Sequence, residues 1–194
     1  MLYQNLYLEN ARSQNFENFY ENAGEESIAQ VEAMLEQGAE KLIFDVRNNP
    51  GGYVSEMIEI LDYLLPEGTL FRSESYDGTT REDTSDAACL ELPMAVLFNE
   101  NSYSAAELFA AALWEYEWAV TVGQPTCGKA HYQYTIPLMD GSAVALSVGR
   151  YTTPNDVDLE GVGITPPARN PSSSELRPQY YPRVYLGTEP VSLK

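Results

Sequence analysis

The chain has 194 residues, with 29 Asp and Glu against 11 Lys and Arg and a formal net charge of −18. That imbalance argues against nucleic acid and anionic membranes as partners, since both repel a strongly acidic protein. With 44% hydrophobic and 21% charged residues the chain reads as one globular domain. No apolar run approaches the roughly 20 residues of a membrane helix, and Met1 to Asn10 lack the basic start and apolar run of a signal peptide.

In chain order, Leu2 to Leu8 alternates loosely, as a strand does. Glu25 to Gln37 places Ile28, Val31, Met34 and Leu35 at helical spacing, and Gly38 stops the helix. Lys41 to Val46 is a short apolar run suited to a buried strand. The loop Arg47-Asn48-Asn49-Pro50-Gly51-Gly52 follows, then a helix with Met57, Ile58, Leu61 and Leu64 on one face, ending at Pro66-Glu67-Gly68. Thr69 to Arg81 reads as a hairpin turning at Asp77-Gly78. Met94 to Phe98 is a second buried strand, Ser104 to Tyr116 an alanine-rich helix, and Ala119 to Val122 a short strand. His131 to Pro137 and Ser142 to Val148 form a hairpin around Asp140-Gly141. After Gly163 proline and serine dominate, which predicts a loosely ordered tail over 169–194 behind a core of 1–168. Strands alternating with helices imply an α/β fold, with helices covering a sheet.

Three features carry candidate chemistry. Adjacent glycines at Gly51 and Gly52 let the backbone turn sharply and present N–H groups to an anion, although a plain strand-to-helix turn needs the same residues. Ser104 opens a helix just after a strand and loop, where a nucleophile is exposed beside the positive helix end. Locally, Ser104-Ala105-Ala106-Glu107 is better explained as a helix capping box. One serine oxygen cannot both cap tightly and attack freely. Lys129 is one of three lysines in an acidic chain, lies between Gly128 and Ala130, and has no acid near it in sequence. A strand-edge lysine that blunts pairing is the alternative. His131 is the single histidine and, with Cys89 and Cys127, leaves too few residues for a His/Cys metal site. The two cysteines could pair but define no framework.

Taken together, DVRNNPGG, NENSYSAAELFAAAL, VGQPTCGKAHYQ and DGSAVALSVGRYTTPNDVDLEGVGITP resemble, in that order, the C-terminal processing peptidases, also called tail-specific proteases. The resemblance covers Leu2 to Pro166. It implies a ClpP/crotonase-like α/β core with a C-terminal hairpin and a serine endopeptidase acting on polypeptides through a Ser-Lys dyad and an acyl-enzyme. It implies no cofactor and no metal. By motif position the nucleophile would be Ser104, the base Lys129 and the assisting residue Gln133, with an oxyanion hole from the N–H groups of Gly51, Gly52 and Ala105. It also implies an extracytoplasmic setting and a PDZ domain ahead of the core, for which this chain starts too late. Cys127, Ala130, His131 and Glu115 depart from the family's usual residues.

A lysine base has to be neutral, whereas a free lysine titrates near pH 10.4. The chemistry therefore calls for a pocket that keeps acids away from Lys129. Two other readings use the same fold. One is a binding module without peptidase activity, which the joint presence of Ser104, Lys129 and Gln133 argues against. The other is an acyl-thioester enzyme that would use the glycine turn alone.

Overall fold

The computed structural model describes residues 10–167. Eleven elements follow in order: β1 (Ala11–Asn15), α1 (Ala23–Glu36), β2 (Lys41–Asp45), α2 (Val54–Leu64), β3 (Gly68–Ser75), β4 (Thr80–Ser85), β5 (Met94–Phe98), α3 (Ala105–Glu115), β6 (Ala119–Gly123), β7 (His131–Pro137) and β8 (Ala143–Thr152). They form two four-stranded sheets. One is parallel, in the order β1-β2-β5-β6; the other is antiparallel, in the order β4-β3-β8-β7. This is the expected α/β architecture with its late hairpin, β7–β8. The predicted strand at Leu2–Leu8 and the predicted tail at 169–194 lie outside the described residues.

Local chemistry explains the boundaries. Gly38 adopts φ +84°; its N–H bonds the Leu35 carbonyl and the Ala39 N–H bonds that of Met34. These two bonds close α1, and the left-handed conformation they need suits glycine. On α2 the buried face is Met57, Ile60, Leu61 and Leu64, with Ile58 only partly buried. The helix ends at Leu65, which is extended ahead of Pro66. The first hairpin turns at Asp77-Gly78 as predicted, but its second strand runs on to Ser85. The second hairpin likewise continues to Thr152.

Two parts differ from a simple amphipathic reading. β1 is the polar segment ARSQN, held at the sheet edge by parallel pairing to β2. In α3 every residue from Ala105 to Leu113 is buried, so the helix is enclosed on all sides. Its alanines let it approach its neighbours closely, and Phe109 joins Phe16, Phe19 and Phe44 at centroid distances of 5.5–5.8 Å. Burying each such ring stabilises the fold by about 1.5–3 kcal/mol. The cluster also ties α3 to the glycine turn, because Phe19 packs on Phe109 and its backbone bridges Gly52.

Candidate active site

The loops after β2 and β5 leave the carboxyl ends of adjacent parallel strands, where open α/β sheets place their sites. They are laced together by side chains. Ser102 Oγ donates to the Val46 carbonyl at 2.7 Å, and Asn99 Oδ1 accepts the Asn48 N–H at 2.9 Å. Asn49 is fully buried. Its Nδ2 donates to the Phe16 carbonyl (2.9 Å), its Oδ1 accepts the Gly51 N–H (2.7 Å), and its carbonyl accepts the Tyr103 N–H (3.1 Å).

Gly51 has φ +89°, and a Cβ there would lie 2.8 Å from Ser104 Cβ and 3.0 Å from Ala105 N. The glycine turn therefore lies directly against the serine. Gly52 forms an isolated parallel bridge with Phe19: Phe19 N–H donates to the Gly51 carbonyl and Tyr53 N–H to the Phe19 carbonyl. Among the described residues, neither the Gly52 nor the Ala105 N–H has a hydrogen-bond acceptor. The Gly51 N–H does, in Asn49 Oδ1.

Ser104 precedes α3 with φ 61° and ψ −128°. For a non-glycine residue this conformation costs about 1–3 kcal/mol, and such strain concentrates at functional sites. Both arms of a capping box are in place, but only one is a well-formed side-chain bond: Glu107 Oε2 accepts the Ser104 N–H at 2.9 Å. The Glu107 N–H donates to the Ser104 carbonyl at 2.9 Å, and Ser104 Oγ makes no side-chain cap bond.

Glu107 reaches well beyond its own helix. The side chain is fully buried. Besides the Ser104 N–H, Oε2 accepts the Lys129 N–H at 2.9 Å. Oε1 accepts the Gly128 N–H and the Thr126 hydroxyl, each at 2.6 Å. One carboxylate thus joins the serine turn to the lysine segment. A second clamp holds that segment from the other side: Gly161 N–H donates to the Gly128 carbonyl, and the Thr126 hydroxyl accepts the Ile164 N–H.

The Lys129 side chain is half-buried, with Nζ 5.8 Å from the centroid of the Tyr103 ring, the residue before Ser104. The Lys129 carbonyl accepts the Tyr151 hydroxyl at 2.5 Å. Burial raises the Tyr151 phenol well above its ordinary range, and hydrogen bonding to Ser104 works against that rise. An acid does stand near Lys129 in space. Glu160 Oε2 accepts the Ala130 N–H at 2.7 Å and lies 2.7 Å from His131 Nδ1. The Ala130 and His131 bonds, assisted by the charges of His131 and Lys129, hold the Glu160 carboxyl below its usual range. His131 is therefore engaged by Glu160. β7 begins at His131, after Lys129, so strand alternation does not carry Lys129 along with Gln133. Gln133 is exposed and paired to Ser147, and among the described residues no hydrogen bond joins it to Lys129. Glu115, at the end of α3, accepts the Thr153 hydroxyl and the Asn155 N–H. Cys89 and Cys127 are both free.

The model of peptidase family S41 matches residues 14–169. This chain belongs to that family. Among S41 relatives, a carboxyl-terminal-processing protease of Synechocystis sp. is 37% identical over 149 residues, 76% of this chain and 35% of that protein. Carboxyl-terminal-processing peptidase 2, chloroplastic, of Arabidopsis thaliana is 34% identical over 158 residues, 80% of this chain and 31% of that protein. The solved photosystem II D1 C-terminal processing protease superposes with a TM-score of 0.72 at 29% identity, covering 81% of this chain and 41% of that one. The chain spans about a third of the length of the curated relatives it matches. Among the described residues no helix is long and apolar enough to cross a membrane.

Proposed function

We propose that this chain carries the catalytic core of a serine endopeptidase of the C-terminal processing type, hydrolysing polypeptides outside the cytoplasm. Ser104 is the nucleophile and Lys129 the general base, while Gln133, exposed and without a hydrogen bond to Lys129 among the described residues, is not given the assisting role. The observation that carries this reading is the Glu107 carboxylate, which ties the backbones of Ser104 and Lys129 together beside the Gly51-Gly52 turn. A solvated helix cap or a strand-edge lysine needs no such link.

In this reading the neutral Lys129 amine takes the Ser104 proton as Oγ attacks the scissile carbonyl. The oxyanion is held by the N–H groups of Gly52 and Ala105, both without another acceptor, while the Gly51 N–H stays with Asn49. The ammonium then protonates the departing amine as the C–N bond breaks, leaving an ester on Ser104. Water, losing its proton to the same amine, attacks that ester and releases the carboxylic acid, and the serine regains its hydrogen. The Ser104 N–H takes no part, being held by Glu107.

Incubation of the chain with an unfolded protein tests the assignment. Wild type cleaves it, and Ser104→Ala does not, while the variant loses at most about 1–2 kcal/mol of stability. Undiminished cleavage by purified Ser104→Ala would remove the assignment. A wild type that retains unfolded polypeptide without cutting it would favour the binding-module alternative.

A further inference from the structure

Asn49 is fully buried where three segments meet, and it bonds to all of them. Its Nδ2 donates to the Phe16 carbonyl at 2.9 Å, its Oδ1 accepts the Gly51 N–H at 2.7 Å, and its own carbonyl accepts the Tyr103 N–H at 3.1 Å. A carbonyl only accepts and a backbone N–H only donates, so a single orientation of the carboxamide serves both Phe16 and Gly51. The anchor is itself firm. Phe16 is 4% exposed, its N–H donates to the Asp45 carbonyl at 2.8 Å, and its ring packs on Phe19, Phe44 and Phe109.

These bonds reach both sides of the place where an oxyanion would sit. On one side the side chain captures the N–H two residues on, which closes the turn at Gly51 and leaves the Gly52 N–H as the next donor. On the other side the backbone carbonyl fixes Tyr103, the residue before Ser104 and two before Ala105. The two turns are so close that a Cβ on Gly51 would lie 2.8 Å from Ser104 Cβ. A small rotation of either turn therefore alters the spacing of the Gly52 and Ala105 N–H groups.

Resting on the Ser-Lys reading above, we infer that Asn49 is the positioning residue of the oxyanion hole: it withholds the Gly51 N–H and keeps the Gly52 and Ala105 N–H groups at the spacing a tetrahedral intermediate needs. It touches no substrate and moves no proton. Donors of this kind work only when aimed at the oxygen of the transition state, and deleting one outright costs about 100- to 1000-fold in kcat. Misplacing two without deleting either is expected to cost about 10- to 100-fold.

The test is steady-state peptide cleavage together with binding of a peptide trifluoromethyl ketone, on the full chain well below its melting temperature. Ser104 Oγ adds to the ketone carbon, the C=O electron pair moves onto its oxygen, and the serine proton passes to the Lys129 amine. The adduct thus puts an anionic oxygen in the hole with no group leaving. Asn49→Ala is expected to lower kcat about 10- to 100-fold with KM within about twofold of wild type, and to weaken the ketone by the same factor as kcat/KM. Asn49→Ser, whose hydroxyl can still accept the Gly51 N–H, is expected to recover part of both. Val31→Ala, which removes core methyl groups from α1, is expected to lower the melting temperature and leave kcat near wild type. If neither Asn49 variant accumulates as folded protein, nuclear magnetic resonance of the wild type, isotopically labelled at its glycine and alanine nitrogens, carries the test. On forming the adduct, the Gly52 and Ala105 amide protons are expected to move downfield while that of Gly51 stays in place. Wild-type kcat and ketone affinity in Asn49→Ala overturn the inference and leave the Ser-Lys reading standing. So does a loss confined to KM, an equal loss of kcat in Val31→Ala or, failing the variants, a Gly51 proton that moves with the adduct. A wild type that neither cleaves the peptide nor forms the adduct at Ser104 withdraws both.

Discussion

Replacing Glu107 by glutamine exchanges one carboxylate oxygen for an amide nitrogen at nearly constant volume, so its effect reads the hydrogen bonds and not a cavity. The carboxylate accepts four bonds, two on each oxygen. A glutamine oxygen can serve only one of these pairs, and its NH2 must face the other. The less costly choice keeps the oxygen on Ser104 and Lys129 and turns the NH2 toward Thr126 and Gly128. The Thr126 hydroxyl can rotate away, but the Gly128 N–H cannot. One buried backbone N–H is then left facing another donor, at about 1–3 kcal/mol, and the remaining bonds lose the strength that a charged acceptor lends them. The sum is about 2–4 kcal/mol. For a domain of this size that corresponds to a fall in melting temperature of about 5–15 °C. Urea unfolding followed by circular dichroism measures the free energy, and cleavage at a temperature where the variant is folded measures the site. The expected result is both a loss of stability and a fall in kcat, since the same bonds hold Ser104 to Lys129. A stability change below about 0.5 kcal/mol together with wild-type turnover would refute the view that this carboxylate joins the two segments.

Three further outcomes follow. His131→Ser, which only frees Glu160 of a partner, is expected to keep most of the activity, while Lys129→Ala abolishes it; the reverse pattern in steady-state cleavage would make histidine the base. Gly51→Ala places a methyl group 2.8 Å from Ser104 Cβ at φ +89°, and is expected to cost about 1–3 kcal/mol and lower kcat by about 100-fold, read from urea melts and turnover together. Asp45 is raised by partial burial but pulled further down by the Arg47 side chain and N–H, so its folded carboxyl titrates below its ordinary value. Its contribution is therefore complete above the unfolded carboxyl range near pH 4 and is lost as pH falls through the folded value. Because Arg47 is half exposed, Asp45→Asn should cost only about 0.5 kcal/mol at pH 7, and urea melts of variant and wild type should converge near pH 2.

Most of the helices and strands were legible because each carries a strong local signal. Gly38 ends α1 by its left-handed conformation, MAVLF at β5 is apolar throughout, and Asp77-Gly78 makes its turn. β1 was not legible, since ARSQN has no apolar alternation and is a strand only because β2 offers a parallel edge. The choice of Ile60 over Ile58 on α2 depends on where α1 and α3 lie, which periodicity does not contain. At the site, the order of glycine pair, serine and lysine was readable. The connections among them were not. Glu107 looks like a capping residue because its partner Ser104 is three residues away, whereas Gly128 and Lys129 are more than twenty away. A fully buried glutamate in an alanine-rich helix was the available signal. The lack of an acid near Lys129 in sequence was misleading for the same reason: Glu160 arrives from a loop beyond β8. Tyr151 likewise meets Lys129 only because β8 runs back past the lysine segment.

The account stands most directly on the covalent intermediate. Acid quenching during turnover of an activated peptide ester, followed by mass spectrometry of the intact chain and its peptide map, would identify the acylated residue. A single acyl group on Ser104, absent from Ser104→Ala and strongly reduced in Lys129→Ala, is the predicted result. An acyl group on exposed Cys127, or steady cleavage with none on Ser104, would contradict it.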